Sequence, residues 1–158
     1  MARSIVYQLC EALKYLHSHR IIHKDIKLEN IMLQSNKTYT SAKLVDFGLS
    51  EVVQHTPQTS DQRSGTEGYL APEILRGEAY DTSSDLWSLG CLLYAMLTVS
   101  LPFPSSDTGA SGETGSPSKG KKKGYFSGAS YGLDVSQIDI GPLAGVDAEC
   151  IDLILCLL

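Results

Sequence analysis

Four polar residues in this sequence have types that could take part in chemistry together. Asp25, Lys27 and Asn30 lie close together in one short segment, and Asp46 follows further along the chain. A carboxylate can orient a hydroxyl group and accept its proton, whereas an ammonium group is a compact positive charge that can face an anion. Carboxylate and amide oxygens are also the ligands that Mg²⁺ prefers. These residue types therefore suit proton transfer and charge neutralisation beside a hard cation.

Four segments with distinctive residues follow one another along the chain. A single one of them, such as Asp46-Phe47-Gly48, has little meaning alone, but together and in this order they resemble the catalytic lobe of the eukaryotic protein kinases. The resemblance implies a mainly α fold with a small β-hairpin, that is, a kinase-like C-terminal lobe of the α+β class. It also implies transfer of the γ-phosphate of ATP, with Mg²⁺, to protein hydroxyl groups. The segments are His23-Lys24-Asp25 with Lys27 and Asn30, Asp46-Phe47-Gly48, Gly65-Thr66 with Tyr69 and Ala71-Pro72-Glu73, and Asp85-Leu86-Trp87-Ser88-Leu89-Gly90.

The resemblance implies a role for each polar side chain of these segments. Asp25 would orient the substrate hydroxyl and accept its proton late in the reaction, and Lys27 would place its charge beside the γ-phosphate. Asn30 and Asp46 would supply oxygen ligands to Mg²⁺ from either side of one site. The expected catalytic residues are thus Asp25 and Lys27, and the expected metal ligands are Asn30 and Asp46. The expected nucleotide-binding residues are Lys27, Glu29, Asn30, Met32 and Asp46.

The residues near the acceptor position favour serine and threonine as substrates. Kinases specific for tyrosine usually carry Ala and Arg in the part of the catalytic loop that is Ile26 to Glu29 in this sequence. By resemblance, Thr66 would bridge Asp25 and Lys27 and help to seat the acceptor residue. Glu29 would attract an arginine upstream of the acceptor, as in kinases that prefer basic substrates. The alternative is a glutamate that is simply exposed to solvent.

Other side chains of the motifs have structural interpretations. Met32 would form the apolar floor under adenine, and the alternative is an ordinary core methionine. His23 invites a role as general base, but its equivalent in the family packs in the core, and we expect the same here. We interpret Phe47 as a packing residue and Asp85 as an anchor of the catalytic-loop backbone that could also cap its helix.

The activation segment departs from the family pattern. Lys24 replaces the usual arginine, which grips a phosphate through two parallel hydrogen bonds that lysine cannot form. Gln62 stands at a frequent phosphorylation position. We therefore expect the segment to be ordered without phosphorylation, with Asp61 as a partial mimic of a phosphate. The remaining candidate phosphorylation sites are Thr59, Ser60 and Ser64.

Parts of the family's ATP site have no counterpart in these 158 residues. The Gly-rich loop, the strand lysine that holds the α- and β-phosphates and the hinge are not found. We therefore interpret the sequence as a C-terminal kinase lobe without the N-terminal lobe, in which Glu73 lacks its usual arginine partner. Two alternatives stay open, an inactive fragment that acts as a scaffold or decoy and an autonomous nucleotide-binding fragment.

Apolar spacing predicts the elements that position these residues. The predicted organisation is a partial kinase domain over 1–103, a low-complexity insertion rich in Gly, Ser and Lys over 104–141, and a continuation of the lobe over 142–158. The predicted elements are an amphipathic helix over 2–19, a β-hairpin from the runs 31–33 and 43–45, a long loop over 47–69, a buried helix capped by Thr82 or Ser83, and a helix that starts near Asp147.

The composition limits the class of protein. Hydrophobic residues make up 42% and charged residues 20%, which excludes a wholly disordered chain, and the net charge of −5 argues against a nucleic-acid coat. The longest apolar run is too interrupted to span a membrane. The four cysteines suggest neither a zinc site nor disulfides, and we expect them to be reduced and mostly buried. The expected location is the cytoplasm, with the nucleus as the alternative, and the expected partners are ATP and proteins with Ser or Thr acceptors. The oligomeric state stays open.

Overall fold

The architecture is α+β, with helices and two small antiparallel sheets among the described residues. It was analysed in a computed structural model of the chain, which describes residues 2–35, 40–53, 64–103, 136 and 138–158. The elements are α1 (Ala2–Ser18), β1 (Ile21–Ile22), a 3₁₀ turn (Leu28–Asn30), β2 (Ile31–Ser35), β3 (Thr40–Leu44), β4 (Glu51–Val52), α2 (Pro72–Leu75), α3 (Thr82–Thr98), a second 3₁₀ turn (Gly141–Leu143) and α4 (Ala148–Leu157).

Helix α1 forms because its apolar residues repeat at helical spacing. Its buried stripe packs into the main core, while polar residues such as Ser4, Glu11 and Lys14 lie on the outside. The helix ends at Ser18, and Arg20 adopts a left-handed backbone with φ of 60°, which turns the chain into β1. The predicted helix over 2–19 is confirmed. The stripe consists of Ile5, Leu9, Leu13 and Leu16.

The predicted hairpin is confirmed, with longer strands than the two apolar runs suggested. Strands β2 and β3 pair antiparallel, with Ile31 opposite Leu44 and Ser35 opposite Thr40. A second sheet, in which β1 pairs with β4, was not predicted, and it interrupts the loop expected over 47–69. Strands of two residues are too short to show an alternating pattern, so the sequence contains no signal for them.

Helix α3 lies at the centre of the core. Leu89, Cys91 and Leu92 have no exposed surface, as expected for a helix that is apolar on nearly every side. The prediction of Thr82 or Ser83 as its cap is wrong, because the N-cap is Asp81. The Asp81 carboxylate accepts a hydrogen bond from the backbone N–H of Ser83 at 2.7 Å. Three successive residues are all good caps by type, so residue type did not identify the one that the backbone geometry selects.

The expectation that most cysteines are buried is wrong. All four are free thiols, but Cys10 and Cys156 are exposed and Cys150 is half-buried. Cys10 is exposed because it lies on α1 away from the apolar stripe. Cys91 is buried inside α3, and this burial raises its pKa to about 12, so that the thiol stays protonated and unreactive at neutral pH.

Helix α4 packs across α3 and begins after Asp147, as predicted. Gly90 makes the close approach of the two helices feasible, because a Cβ atom at this position would lie 2.9 Å from the Cβ of Leu157. Most of the predicted insertion over 104–141 lies outside the described residues. None of the helices in the described ranges has the length and apolar character needed to cross a membrane.

The capping arrangement of α3 predicts a contrast between two neighbouring substitutions. Asp81→Ala should lower the free energy of unfolding by about 1 kcal/mol, because it removes the acceptor of the first-turn N–H group. Thr82→Ala should change it by less than about 0.5 kcal/mol, since Thr82 is exposed in the first turn. Urea unfolding of the three proteins measures both values. A larger loss for Thr82→Ala than for Asp81→Ala would contradict the assignment of the cap.

Candidate active site

The carboxylate of Asp25 is the centre of a compact set of hydrogen bonds. Its Oδ1 accepts from the Thr66 hydroxyl at 2.6 Å. Its Oδ2 accepts from Lys27 Nζ at 2.8 Å and from Asn30 Nδ2 at 3.0 Å. Lys27 Nζ also donates to Thr66 Oγ1 at 2.8 Å, which closes a triangle of carboxylate, ammonium and hydroxyl. The structure thus brings together four of the residues singled out in the sequence.

The same contacts set the charge of Asp25, which is only 8% exposed. Burial would raise the pKa of this carboxyl, but the hydrogen bonds from Lys27 and Thr66 and the positive charge of Lys27 outweigh burial and lower the pKa. The carboxylate is therefore ionised at neutral pH. An ionised carboxylate that holds one hydroxyl at 2.6 Å is able to orient a second hydroxyl in the same way.

Asp85 of α3 holds the backbone of the loop that carries Asp25. Its Oδ2 accepts from the His23 N–H at 2.9 Å and its Oδ1 from the Lys24 N–H at 3.0 Å. His17 of α1 contacts Oδ2 through Nε2 at 2.9 Å. Asp85 is 1% exposed, so these partners replace the water that the carboxylate has lost. The predicted anchoring role of Asp85 is confirmed, and the helix cap is a different residue.

His23 packs in the interior, as expected. The side chain is fully buried, its Nε2 lies 3.3 Å from the carbonyl oxygen of Val45, and its ring meets that of Phe47 edge-on at a centroid distance of 4.9 Å. Burial is the main cause that lowers the pKa of His23, so the ring is neutral at pH 7. His23 therefore links the catalytic loop to the segment around Asp46 through packing.

The hairpin joins the two loops that carry the predicted metal ligands. Asn30 precedes β2, Asp46 follows β3, and the Val45 N–H donates to the Asn30 carbonyl at 3.0 Å. The Asn30 amide nitrogen donates to the backbone and side-chain oxygens of Asp25, which leaves the amide oxygen for another partner. Asp46 has a left-handed backbone with φ of 64°, and its Oδ1 accepts from the Gly48 N–H at 3.1 Å.

This donor set fits magnesium that is bound together with phosphate. Across the residues that the structure describes, no cluster of three or more His, Cys, Asp or Glu side chains could hold a metal ion. One carboxylate and one amide oxygen do not complete an all-protein cage. Mg²⁺ is usually held by one or two carboxylates, with water and substrate phosphates as its other ligands. Asp46 and Asn30 would therefore hold the ion, and a nucleotide would supply further oxygens.

The remaining predicted residues lie at several different places. Met32 on β2 is 63% exposed, so the alternative of a core methionine is wrong. Glu29 is exposed on the first 3₁₀ turn, which suits both interpretations of this residue. The carbonyl of Ser64 accepts a hydrogen bond from Tyr80. The residues Thr59, Ser60, Asp61 and Gln62 lie outside the described residues.

Glu73, which was expected to lack its usual arginine partner, has a serine as a hydrogen-bond partner. Its Oε1 accepts a hydrogen bond from the Ser84 hydroxyl at 3.0 Å, and its side chain is half-buried. The Ser84 hydroxyl oxygen also accepts a hydrogen bond from the Asp81 N–H, which completes the capping box at the start of α3. The sequence concealed this contact because serine in the first turn of a helix is usually interpreted as a cap alone.

Glu51 and Tyr80 contribute to the site and were missed in the sequence. The ammonium group of Lys24 bonds the Glu51 carboxylate and lies 4.5 Å from the centroid of the Tyr80 ring. The Lys24 side chain is 5% exposed, and Glu51 neutralises its charge. Residues 54–63 of the activation segment lie outside the described residues, so its order without phosphorylation stays a prediction. Local patterns give no sign of these contacts, because all three residues belong to different parts of the chain.

Comparison with known proteins identifies the family. The family model described as "Protein kinase domain" matches residues 1–158, the whole chain. The chain belongs to the protein kinase family. Similar curated proteins are the serine/threonine-protein kinase cds1 of Schizosaccharomyces pombe (43% identical over 110 residues), the calcium/calmodulin-dependent protein kinase type IV of Mus musculus (43% over 102 residues) and the Aurora kinase of Yarrowia lipolytica (49% over 105 residues).

These alignments cover most of this kinase chain and a minor part of each relative. They include 66%, 65% and 65% of the chain, and 23%, 22% and 26% of the respective relatives. The chain therefore corresponds to about a quarter of the length of these proteins. The family resemblance inferred from the motifs is confirmed at the level of the protein kinase family.

The contact between Lys27 and Asp25 predicts a change in ionisation. Lys27→Met should raise the pKa of Asp25, because the carboxyl stays buried and loses its cation. The free energy of unfolding should fall by about 1.5–3 kcal/mol at pH 7, the range for a hydrogen bond to a charged group. Carboxyl ¹³C NMR titration measures the pKa. Lys14→Met, which removes an exposed lysine of α1, is the control. An Asp25 pKa equal to that of the control would contradict the prediction.

The burial of His23 predicts a loss of stability in acid. The pKa of His23 in the folded chain is lower than its ordinary value of 6.5, so the unfolded chain binds the proton more readily. The resulting stability is present above pH 6.5 and is lost as the pH falls towards the folded value. His23→Asn should make the unfolding free energy less dependent on pH below 6.5, by up to about 1.4 kcal/mol per pH unit. Gln34→Asn, at an exposed position with no titratable side chain, should leave the slope unchanged; equal slopes in all three proteins would refute this account.

Proposed function

We propose that this chain carries the catalytic centre of a serine/threonine protein kinase, which transfers the γ-phosphate of ATP to protein hydroxyl groups. The main support is the Asp25 carboxylate, which accepts a hydrogen bond from the Thr66 hydroxyl at 2.6 Å. Lys27 Nζ lies 2.8 Å from both the carboxylate and the hydroxyl. The membership of the protein kinase family supports the same reaction. In this proposal the chain forms part of the C-terminal lobe of a longer kinase domain.

Asp25 orients the attacking hydroxyl group of the substrate. Its ionised carboxylate accepts a hydrogen bond from that hydroxyl and takes its proton as the new phosphate ester forms. The neighbouring Lys27 is held 2.8 Å from the carboxylate, so its charge is fixed before the nucleotide arrives. This fixed positive charge stabilises the negative charge of the transferring phosphate without any rearrangement of the site.

Asn30 and Asp46 hold the metal ion on the nucleotide side of the site. Mg²⁺, when bound, neutralises the phosphate oxygens. The bond from Asn30 to Asp25 links this metal ligand directly to the residue that orients the acceptor. Phosphate and acceptor are therefore placed by one continuous set of hydrogen bonds, which favours reaction by proximity.

Thr66 and Glu29 set the choice of protein substrate. Thr66 fixes the end of the activation segment against Asp25 and Lys27, which places a short Ser or Thr side chain within reach of the carboxylate. One of the similar proteins, cds1 of Schizosaccharomyces pombe, is a serine/threonine kinase by name. Glu29 is exposed next to the catalytic loop and attracts a basic residue near the acceptor by charge complementarity.

Phosphate transfer with matched variants tests this proposal. The chain is incubated with radiolabelled ATP, Mg²⁺ and an arginine-containing peptide with a single serine. Asp25→Asn should reduce the rate of transfer by about 10²–10⁴-fold, the contribution of a positioned general base. Asp152→Asn, the same chemical change at an exposed position of α4, should leave the rate unchanged. A peptide with tyrosine in place of serine should accept little phosphate.

The result separates the enzyme from its main alternative. Equal transfer by the wild-type chain and Asp25→Asn, with intact folding of both, would refute the proposal and support the scaffold or decoy. Transfer to tyrosine at the same rate as to serine would refute the substrate class alone.

A further inference from the structure

Gln8 of α1 makes a pair of hydrogen bonds that the proposed reaction does not explain. Its Nε2 donates to the carbonyl of Thr40 at 3.0 Å, and its Oε1 accepts from the N–H of Ala42 at 3.0 Å. Nε2 also donates to the carbonyl of Ser4, one turn earlier in the helix, at 3.0 Å. One side-chain amide thus binds two backbone groups of strand β3 and is itself held by its own helix.

These bonds occupy the edge of β3 that faces away from β2. Thr40 and Ala42 are two residues apart, so their backbone groups point to the same side of the strand. The Gln8 amide takes the place that a peptide group of a third strand would occupy. An edge held in this way cannot slide along the helix without breaking both hydrogen bonds, so Gln8 fixes the position of the hairpin along α1.

The position of the hairpin along α1 also sets the position of the predicted metal ligands Asn30 and Asp46, which flank its two strands. Strand β3 ends at Leu44, Val45 follows, and Asp46 comes next. The Val45 N–H bonds the carbonyl of Asn30, so both predicted metal ligands are attached to the same hairpin.

The other end of α1 is attached to the acceptor side of the site. His17 contacts Asp85 at 2.9 Å, and Asp85 binds the backbone of the loop that leads into Asp25. Gln8 and His17 are nine residues apart in one uninterrupted helix, about 13 Å along its axis. Helix α1 therefore supports both halves of the site at a fixed separation.

We propose that Gln8 is a positioning residue for the metal-binding pair Asn30 and Asp46, which it holds in register with Asp25 by fixing the outer edge of β3 to α1. This inference rests on the proposed function, because it takes Asn30 and Asp46 as the metal ligands. Outer partners that orient ligands typically change metal affinity by 10–100-fold when removed.

The test uses Gln8→Met in the 158-residue chain, with Gln34→Met as the matched control. Methionine has a length and shape similar to those of glutamine, but it has neither the donor nor the acceptor that bonds the edge of β3. Gln34 is an exposed glutamine of β2. Gln8→Met should weaken binding of Mn²⁺ with a non-hydrolysable ATP analogue by about tenfold or more, as measured by water-proton relaxation. Gln34→Met should bind as the wild-type chain does.

Hydrogen exchange separates positioning from general destabilisation. In Gln8→Met, the amides of Ala42 and Val45 should exchange faster, whereas those of His23 and Lys24, which bind Asp85, should keep their protection. Gln8→Glu keeps the acceptor for Ala42 and loses the donor for Thr40, so its Mn²⁺ affinity should fall between those of wild type and Gln8→Met.

Three results would overturn the inference. Unchanged Mn²⁺ affinity in Gln8→Met would refute the positioning role and leave the proposed function intact. Equal loss of protection at both pairs of amides would show that Gln8 supports only the stability of the fold. Failure of the wild-type chain to bind Mn²⁺ with the analogue would refute the metal site, and with it both the proposed function and this inference.

Discussion

The rest of the site depends on the hydrogen bonds between the buried carboxylate of Asp85 and the backbone of the catalytic loop. A charge in the interior is unfavourable unless hydrogen bonds replace its lost hydration, and Asp85 obtains them from the catalytic-loop backbone and from His17. The satisfaction of this charge therefore requires that the loop adopt one conformation. That conformation includes the left-handed backbone of Lys24, with φ of 68°, which a non-glycine residue adopts only when its surroundings determine it.

Because the loop is fixed, the polar side chains around Asp25 are already in place and need little rearrangement when a substrate binds. Thr66 and Asn30 donate hydrogen bonds to the Asp25 carboxylate, and Lys27 donates to Thr66, so these side chains already hold one another in place. Such a preorganised arrangement needs little reorganisation as charge develops during a reaction. The hairpin extends this order to Asp46, and helix α1 joins the hairpin to the same core that holds Asp85.

Sequence reasoning located the site because its residues lie in short motifs with fixed spacing. Helix α1, the hairpin and α4 were also predicted, because the spacing of apolar residues in each of these segments is regular over enough residues to indicate its structure. The partners that hold the motifs were harder to predict. Glu51 pairs with Lys24, Ser84 pairs with Glu73 and Gln8 binds β3 through contacts between distant segments, and single polar residues leave no periodic signal. The cap of α3 was misassigned for a different reason, because three adjacent residues are equally suited to it by type.

The central claim is that the loops carrying Asn30 and Asp46 face one metal-bound triphosphate beside Asp25 and Lys27. Site-resolved NMR line broadening by Mn²⁺ with a non-hydrolysable ATP analogue tests this directly, because the effect falls steeply with distance from the ion. The account predicts the strongest broadening at the Asn30 side-chain amide and at the backbone amides of Asp46 and Phe47, with recovery when Mg²⁺ is added in excess. Strongest broadening on the exposed acidic surface of α4, around Glu149 and Asp152, with none at Asn30, would contradict it.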